Sequence, residues 1–305
     1  MVISAWIEAM RLRTLPVATA SILLGSALAV YHHSFRSSVF VLSLVTALLL
    51  QILSNFANDY GDAVKGTDDE TRVGPRRAVQ SGVISLSAMK RAVLVCAGLA
   101  VLSGIALLAV SLGHHWKAWL CFIGLGIMAI IAAITYTMGR LPYGYRGFGD
   151  VSVFLFFGLL GVAGSYYLHT GSLEPAIWLP AIASGLLSAA VLNINNIRDL
   201  EPDRAAGKHT LAVRLGGKSA RIYHQILIFG AFFAFIGFLT LSHSRAGYLV
   251  LLAAIPLLKS AVTVYRSQDP KILDGLLKTT AKLSLLANVS LSVGLLISMY
   301  VSSGI

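Results

Sequence analysis

The chain has 305 residues, of which 56% are hydrophobic and only 12% are charged, and its mean hydropathy is +0.78. Soluble domains carry about 25% charged residues, so this composition excludes an ordinary soluble protein and indicates an integral membrane protein. The formal net charge is +11, but the sequence has no basic patch interleaved with aromatic residues and no recognisable nucleic-acid-binding module. We therefore expect no nucleic-acid partner.

The N-terminal segment predicts a short amphipathic helix at the membrane interface, with Trp6, Ile7 and Met10 on one side. It lacks the basic-then-apolar order and the small-residue cleavage site of a secretory signal peptide. We therefore expect this segment to be a retained part of the protein.

Apolar stretches of about 20 residues, the length that crosses a bilayer as a helix, recur along the chain. They predict an all-α, polytopic membrane protein of about nine transmembrane helices, in a single domain over residues 1–305. The predicted spans are residues 14–33, 39–58, 90–112, 117–136, 149–170, 175–195, 221–242, 246–265 and 281–302. The residues between the last two spans, 266–280, are expected to form a cytoplasmic connection.

The positions of the charged residues predict how the chain is oriented. If the N-terminus is cytoplasmic, the only Lys and Arg residues outside are Arg36, Lys117 and Arg245. This agrees with the positive-inside rule and predicts an inner cell membrane location with contacts to lipid headgroups. Of the acidic residues, only Glu174 then lies outside. Because acidic residues contribute little to orientation, their concentration on the cytoplasmic side indicates a binding site there.

A first acidic cluster follows the second predicted span. Asn58 and Asp62 are four residues apart and therefore share one face of a helix. Gly66 is a plausible helix end, after which Asp68 could turn back toward the other two side chains. Whether Asp68 or Asp69 completes the cluster stays open.

A second, matching cluster follows the sixth predicted span. Asn195 and Asp199 are four residues apart, as are Asp199 and Asp203. Pro202 indicates a kink or a new helix start within the cluster. Both clusters lie on the same predicted face of the membrane, so two matched helix ends would face each other across a cavity.

The two clusters predict a bound cation, and their hard oxygen ligands favour Mg²⁺. The candidate ligands are Asn58, Asp62, Asp68, Asn195, Asp199 and Asp203. Basic residues accompany both clusters and indicate an anion in the same site, chiefly Lys65, Arg72, Arg198 and Lys208. Together with apolar walls, these residues predict a diphosphate carried on an apolar tail. The simpler alternatives are local salt bridges for the acidic residues and topology-setting charges for the basic ones.

The two clusters and several other segments resemble the UbiA superfamily of intramembrane aromatic prenyltransferases. Within it, they resemble the branch that acts on 1,4-dihydroxy-2-naphthoate. The resemblance is carried by Arg11 to Pro16, Asn58 to Gly66 with Asp68, Tyr136–Thr137, Pro142 to Tyr145, Gly147 to Asp150 and Asn195 to Leu211. It implies a UbiA-like bundle around a central cavity, with two Asp-rich motifs that bind Mg²⁺ and a prenyl diphosphate.

The chain departs from the common pattern of the superfamily at two positions. The common pattern of the superfamily, NDxxDxxxD, has Asp at the position of Gly66, and in this chain Asp68 takes the place of that third aspartate. This shift resembles the naphthoate branch and argues against the 4-hydroxybenzoate branch. Leu12 follows Arg11 where proline is common, which weakens a phosphate role for Arg11.

The reaction that the resemblance implies is transfer of a polyprenyl group from polyprenyl diphosphate to 1,4-dihydroxy-2-naphthoate, with loss of CO₂ and formation of demethylmenaquinone. The implied catalytic residues are Asp62, Asp199 and Lys65. The implied substrate-binding residues are Arg11, Tyr60, Lys65, Arg72, Tyr136, Arg198 and Lys208. Another acceptor, such as 4-hydroxybenzoate or homogentisate, is the first alternative. A cation-coupled organic-anion transporter is the second, although transporter sites usually lie near the membrane midplane.

Overall fold

The computed structural model describes residues 2–66 and 78–302, and no β-strand is present in these two ranges. We number the helices in chain order. They are α1 (Val2–Ala9), α2 (Leu15–Tyr31), α3 (Ser37–Lys65), α4 (Leu86–Leu112), α5 (Trp116–Thr135), α6 (Gly149–Thr170), α7 (Pro175–Arg198), α8 (Leu200–Ala205), α9 (Leu211–Leu215), α10 (Gly217–Ser242), α11 (Ala246–Arg266) and α12 (Pro270–Ser302).

Eight of the helices in the described part of the chain are long and apolar enough to cross a membrane: α3 to α7 and α10 to α12. The ninth apolar helix, α2, has 17 residues, about 26 Å at 1.5 Å per residue. Each of the nine coincides with a predicted span. The expected all-α membrane fold with about nine spans is therefore confirmed.

The last helix is longer than the sequence predicted. Helix α12 begins at Pro270, so the prediction that the last helix starts only at residue 281 was wrong. Lys and Asp residues in its first turns lower the local hydropathy, but Leu273 and Leu277 are four residues apart and both are buried. They pack with Ile194 and Ile197 of α7 in one apolar cluster. The helix therefore starts as an amphipathic segment that a hydropathy window excludes.

The N-terminal helix α1 is present but does not have the expected apolar face. Trp6 packs edge-on against Phe56, with ring centroids 5.6 Å apart, and Met10 joins the same apolar cluster. Ile7 is exposed instead, so its predicted place beside Trp6 and Met10 was wrong. The buried face is centred on Ala5 and Ala9, and Ile7 lies two residues, about 200°, from each of them.

Helix α7 lies inside the bundle and packs against α2, α6, α10 and α12. Its contact with α6 depends on Gly158 and Gly185, since a Cβ at Gly158 would lie only 2.6 Å from the Cα of Gly185. Helix α6 widens into a π-helical stretch over Phe154–Gly164. Residues of the helices from α2 to α7 line a cavity inside the bundle.

Candidate active site

A cavity of about 1540 Å³ runs inside the bundle. Apolar residues from α2 to α6 form much of its wall, and residues from both acidic clusters line one end of it. The candidate metal ligands on this wall are Asn58, Asp62, Asn195, Asp199 and Asp203. The predicted substrate-binding residues on it are Arg11, Tyr136, Arg198 and Lys208. The structure therefore brings together two segments that are far apart in the chain.

Asn58 and Asp62 of the first acidic cluster lie in the last turns of α3. The helix ends as expected at Gly66, which has a positive φ of 62°, a conformation that glycine adopts without steric cost. Gly61 lets α3 pass close to the connection between α5 and α6, because a Cβ there would lie 2.7 Å from Thr137 Oγ1. The Thr137 hydroxyl donates to Ala57 O at 3.0 Å and lies 3.1 Å from Asn58 Oδ1. These two contacts hold α3 in the orientation in which Asn58 faces the cavity.

The second acidic cluster spans a break between two helices. Helix α7 ends at Arg198, Asp199 lies at the break, and α8 starts at Leu200 with Pro202 in its first turn. The break that Pro202 indicated is therefore present. The amide of Asp203 donates to Asp199 O at 2.8 Å, so the two acidic residues remain about one turn apart.

Lys208 connects the two clusters. Its Nζ lies 3.3 Å from Asp62 Oδ1 and 3.8 Å from Asp203 Oδ1. The Tyr145 hydroxyl donates to Asp62 Oδ1 at 2.5 Å. The Tyr145 ring lies 4.8 Å from the Lys208 ammonium and 4.4 Å from that of Lys65, within the range of cation–π attraction. One tyrosine therefore holds two lysines next to a buried aspartate.

Arg198 is paired inside the protein with carboxylates. Its side chain is fully buried, and its Nε and Nη2 donate to the two oxygens of Asp199 at 2.7 and 2.6 Å. Nη2 also donates to Asn195 Oδ1 at 2.9 Å, and Nη1 donates to Asp274 Oδ1 at 2.7 Å. The guanidinium thus orients two of the candidate metal ligands.

Two tyrosines form part of the cavity wall beyond the acidic clusters. The Tyr136 ring meets Tyr143 edge-on, with centroids 5.4 Å apart, and its hydroxyl packs on Gly149, where a Cβ would lie 3.0 Å away. Burial raises the pKa of Tyr136, and the charge of Asp150 raises it further. Burial also raises the pKa of Tyr143. Both phenols therefore stay neutral near physiological pH and can donate hydrogen bonds.

The structure places some predicted residues elsewhere. Tyr60 packs in the apolar cluster with Trp6 and Met10 and is not among the described residues that line the cavity, so the structure does not bring this predicted substrate-binding residue to the cavity wall. It lies two residues from Asn58 and from Asp62, and therefore points to the opposite side of α3. Asp68, Asp69 and Arg72 lie outside the described residues.

Arg11 and Lys65 lie near the acidic clusters but have protein partners. Arg11 Nη2 lies 2.6 Å from Asp59 Oδ1, an aspartate that is almost fully buried. Lys65 is held over Tyr145 at the end of α3. Arg11 lines the cavity, and both cations add positive potential near the acidic clusters.

The donor set suits a hard cation. The five ligand candidates on the cavity wall offer carboxylate and amide oxygens, which are the groups that Mg²⁺ prefers. Within residues 2–66 and 78–302, no three His, Cys, Asp or Glu side chains converge closely enough to hold an ion by themselves. Lys208 and Arg198 instead compensate the negative charge. The chemistry of the donors therefore fits Mg²⁺, with the two amide oxygens contributing to the set.

Sequence reasoning missed three residues that the geometry makes important. Tyr145 belongs to one of the segments that carry the family resemblance, and that segment was the available signal. Asp59 directly follows Asn58, but the helical spacing argument selected Asp62 instead. Asp274 gave no signal, because it lies in residues 266–280, which hydropathy predicted to be a connection.

Comparisons with known proteins agree with this geometry. A model of the UbiA prenyltransferase family matches residues 18–299. A protein from Escherichia coli (strain K12) named 1,4-dihydroxy-2-naphthoate octaprenyltransferase is 50% identical over 297 residues, covering 97% of this chain and 96% of that protein.

Two solved structures share the fold. The apo structure of a UbiA homolog from Aeropyrum pernix K1 matches with a TM-score of 0.67 and 18% identity, covering 96% of this chain and 98% of that one. A UbiA homolog from Archaeoglobus fulgidus bound to DMAPP and Mg²⁺ matches with a TM-score of 0.61 and 18% identity, covering 92% and 99%. At these identities the likeness concerns the fold alone.

Proposed function

The chain belongs to the UbiA prenyltransferase family, and we propose that it transfers a polyprenyl group from polyprenyl diphosphate to 1,4-dihydroxy-2-naphthoate with loss of CO₂. The observation that carries the reaction class is the meeting of two acidic clusters at one end of an apolar cavity. The acceptor follows from the E. coli relative, which is similar over nearly the whole chain. The reaction is a step of menaquinone biosynthesis.

The acidic end of the cavity receives the diphosphate. The residues that would hold Mg²⁺ there are Asn58, Asp62, Asn195, Asp199 and Asp203, together with Asp68 from the first cluster. When bound, Mg²⁺ neutralises charge on the diphosphate and so makes it a better leaving group. Asp62 and Asp199 are the central ligands of the two clusters, and we assign the catalytic role to them and to Lys65.

The lysines supply the donors for the diphosphate oxygens. The Lys208 ammonium carries three N–H groups and already lies between the two clusters, 3.3 Å from Asp62. Lys65 lies on the other side of the same tyrosine ring. Donors placed before the reaction stabilise the charge that develops as the allylic C–O bond breaks. Arg72 is proposed to assist from outside the described residues, and Arg11 through its pair with Asp59.

The bond changes balance without an added oxidant. The allylic C–O bond breaks and its electron pair leaves with the diphosphate. The allylic cation then forms a C–C bond with the ring carbon that carries the carboxylate. As the bond to CO₂ breaks, its electron pair restores the aromatic ring. The immediate product is the reduced, quinol form of demethylmenaquinone.

The wall of the cavity protects and positions the reacting groups. Phe156 and Phe157 are among the residues that line it, and such apolar walls keep water from the allylic cation. Tyr136 presents a neutral hydroxyl that can donate to an oxygen of the acceptor. Exposed apolar side chains on α4 and α5, such as Leu102 and Leu120, suit contact with lipid. The polyprenyl tail is thus accommodated within the bilayer.

We further propose that the protein lies in the inner membrane with this site on the cytoplasmic side. The support is the charge distribution, because the three outer cations precede or start α3, α5 and α11, at the end of the bundle opposite the acidic clusters. A cysteine introduced at the exposed Ser172 should react with an impermeant label in intact cells, and one at the exposed Ser81 should not. The reverse pattern would contradict this orientation.

An acceptor-resolved assay tests the proposed reaction. Purified protein in bilayers would receive Mg²⁺, a labelled prenyl diphosphate of varied length and one acceptor at a time. The fused ring of a naphthoate offers several methylene-sized groups more than 4-hydroxybenzoate, and each is worth about 1–3 kcal/mol in a fitted pocket. We expect a preference of at least about a hundredfold in kcat/KM. Equal use of 4-hydroxybenzoate or homogentisate would contradict the acceptor, and no transfer to any acceptor would contradict the reaction class.

A further inference from the structure

We infer that Asp274 is a positioning residue of the active site, which acts through Arg198 to set the orientation of Asp199 and Asn195. The inference rests on the proposed function, since it assigns a role to a residue behind the diphosphate end of the cavity. Asp274 is part of α12 and is not part of the cavity wall. Among the described residues, it acts on the site through the side chains that it contacts.

The contact between Asp274 and Arg198 is short and directional. Arg198 Nη1 donates to Asp274 Oδ1 at 2.7 Å, a distance typical of a charge-assisted hydrogen bond. The other oxygen of Asp274 lies 3.2 Å from Lys278 Nζ, one turn further along α12. Asp274 therefore links a half-exposed lysine at the protein surface to a fully buried guanidinium.

The guanidinium has little freedom left once these contacts are made. Arginine has five N–H groups, and four of those of Arg198 point at Asp199, Asn195 and Asp274. Because the group is planar and rigid, fixing Nη1 on Asp274 also fixes the direction of Nε and Nη2. Those two nitrogens hold Asp199 and Asn195. The rotation of the Asp199 carboxylate is therefore set by a residue from a different helix.

The backbone that carries Asp274 is itself held in place. Leu273 and Leu277 flank it on α12 and are buried in the same apolar cluster as Ile194 and Ile197 near the end of α7. Asp274 is therefore attached to α7 by apolar packing as well as by its ion pair. A rigid support of this kind suits a group that orients the ligands of a metal ion, because such supporting groups set metal affinity.

The charges also require Asp274. Arg198 is fully buried and lies between two carboxylates. Without Asp274, Nη1 would lose its partner inside the protein, and the guanidinium would be free to turn away from Asp199. Lys278 on the surface side then balances the second negative charge. The four groups form one chain of alternating sign from the surface to the second acidic cluster.

Binding of Mg²⁺ with inorganic diphosphate, measured by thermal shift on purified protein without acceptor, tests the inference. Asp274→Ala should raise the Mg²⁺ concentration for half-maximal stabilisation by about tenfold, the lower end of the effect of such supporting groups. Asp274→Asn keeps an acceptor oxygen for Arg198 and should show a smaller shift. The matched control is Asp269→Asn, an exposed carboxylate that caps the start of α12 by accepting from the Lys271 amide at 2.8 Å. The Asp269→Asn protein should have the same half-maximal Mg²⁺ concentration as the wild type.

A double variant distinguishes a positioning role of Asp274 from a general contribution to the stability of the protein. In Arg198→Met protein, adding Asp274→Ala should leave the half-maximal Mg²⁺ concentration unchanged, because the residue through which Asp274 acts is gone. If Asp274→Ala raises the half-maximal Mg²⁺ concentration as much in the Arg198→Met protein as in the wild type, the inference is contradicted. It is also contradicted if Asp274→Ala lowers the unfolding temperature but leaves the half-maximal Mg²⁺ concentration unchanged. If Asp274→Ala does not fold, the same comparison is made with Asp274→Asn. A wild-type protein that shows no response to Mg²⁺ and diphosphate would contradict the proposed function and this inference with it.

Discussion

Asp62 and Asp199 occupy corresponding places in two clusters with the same Asn-x-x-x-Asp spacing, yet different partners hold their carboxylates. Asp62 accepts from the Tyr145 hydroxyl and lies 3.3 Å from the Lys208 ammonium. Both oxygens of Asp199 accept from a buried arginine that a third helix holds in place. In the first cluster, the described partners of the aspartate are therefore single contacts from a tyrosine and a lysine. The second is built as a rigid support, so equal spacing in sequence does not imply equal roles in stability.

The largest expected effects come from removing either aspartate. Asp62→Ala and Asp199→Ala should each reduce prenyl transfer by at least about a hundredfold, the scale seen when one essential stabilising group is lost. Their stabilities should differ. Asp199→Ala leaves two N–H groups of Arg198 buried without their partner and should cost about 1–3 kcal/mol in the free energy of unfolding. Asp62→Ala releases Tyr145 and Lys208, which have other partners, and should unfold near the wild-type temperature.

Thermal unfolding of both variants, with Asp269→Ala as an exposed control, would check this difference. Relief of repulsion between clustered like charges would by itself leave both variants near normal stability. Equal unfolding temperatures would show that the Arg198 pair adds nothing to stability. Normal activity in either variant would remove that residue from the proposed metal site.

A smaller effect is expected for the lysine that joins the clusters. Lys208→Met keeps much of the side-chain length but removes the ammonium that lies between Asp62 and Asp203. It should lower kcat/KM for prenyl diphosphate by about tenfold or more, as expected for a lost charge-assisted hydrogen bond. Lys271→Met is the matched control, because Lys271 is exposed at the start of α12. If both variants behave alike, Lys208 acts only as part of the general positive charge.

The smallest expected effect distinguishes two tyrosines near the first cluster. Tyr145→Phe keeps the ring under the two lysines but removes the hydrogen bond to Asp62, and should lower kcat/KM by up to about tenfold. Tyr60→Phe should leave kcat/KM within about twofold, because Tyr60 packs on the other side of α3. Loss of its hydroxyl group therefore changes no described contact of the acidic cluster. Steady-state assays with varied prenyl diphosphate would compare them. A larger loss for Tyr60→Phe would contradict this assignment of faces.

Much of the fold and part of the site could be predicted from the sequence. Features that depend on one helix were predictable, whereas features that depend on contacts between helices were not. Long apolar runs report membrane helices directly, and four-residue spacing correctly placed Asn58 and Asp62 on one face of α3. The family resemblance, not this spacing, selected Tyr60, which lies two residues from Asn58 and Asp62 and therefore on the opposite side of α3. Local hydropathy failed at the start of α12, where charged residues hide a packed helix. Partners such as Tyr145 and Asp274 come from other helices, and no local pattern reports which helices meet.

The central claim is that the cavity joins prenyl transfer to loss of the acceptor carboxylate. The direct test supplies purified protein in bilayers with Mg²⁺, polyprenyl diphosphate and 1,4-dihydroxy-2-naphthoate carrying ¹³C in its carboxyl group. We expect mass spectrometry to find ¹³CO₂, diphosphate and a prenylated quinol without the label, in equal amounts, and none of them with Asp62→Ala. A prenylated product that keeps the labelled carboxyl, or CO₂ release without prenyl transfer, would contradict the account.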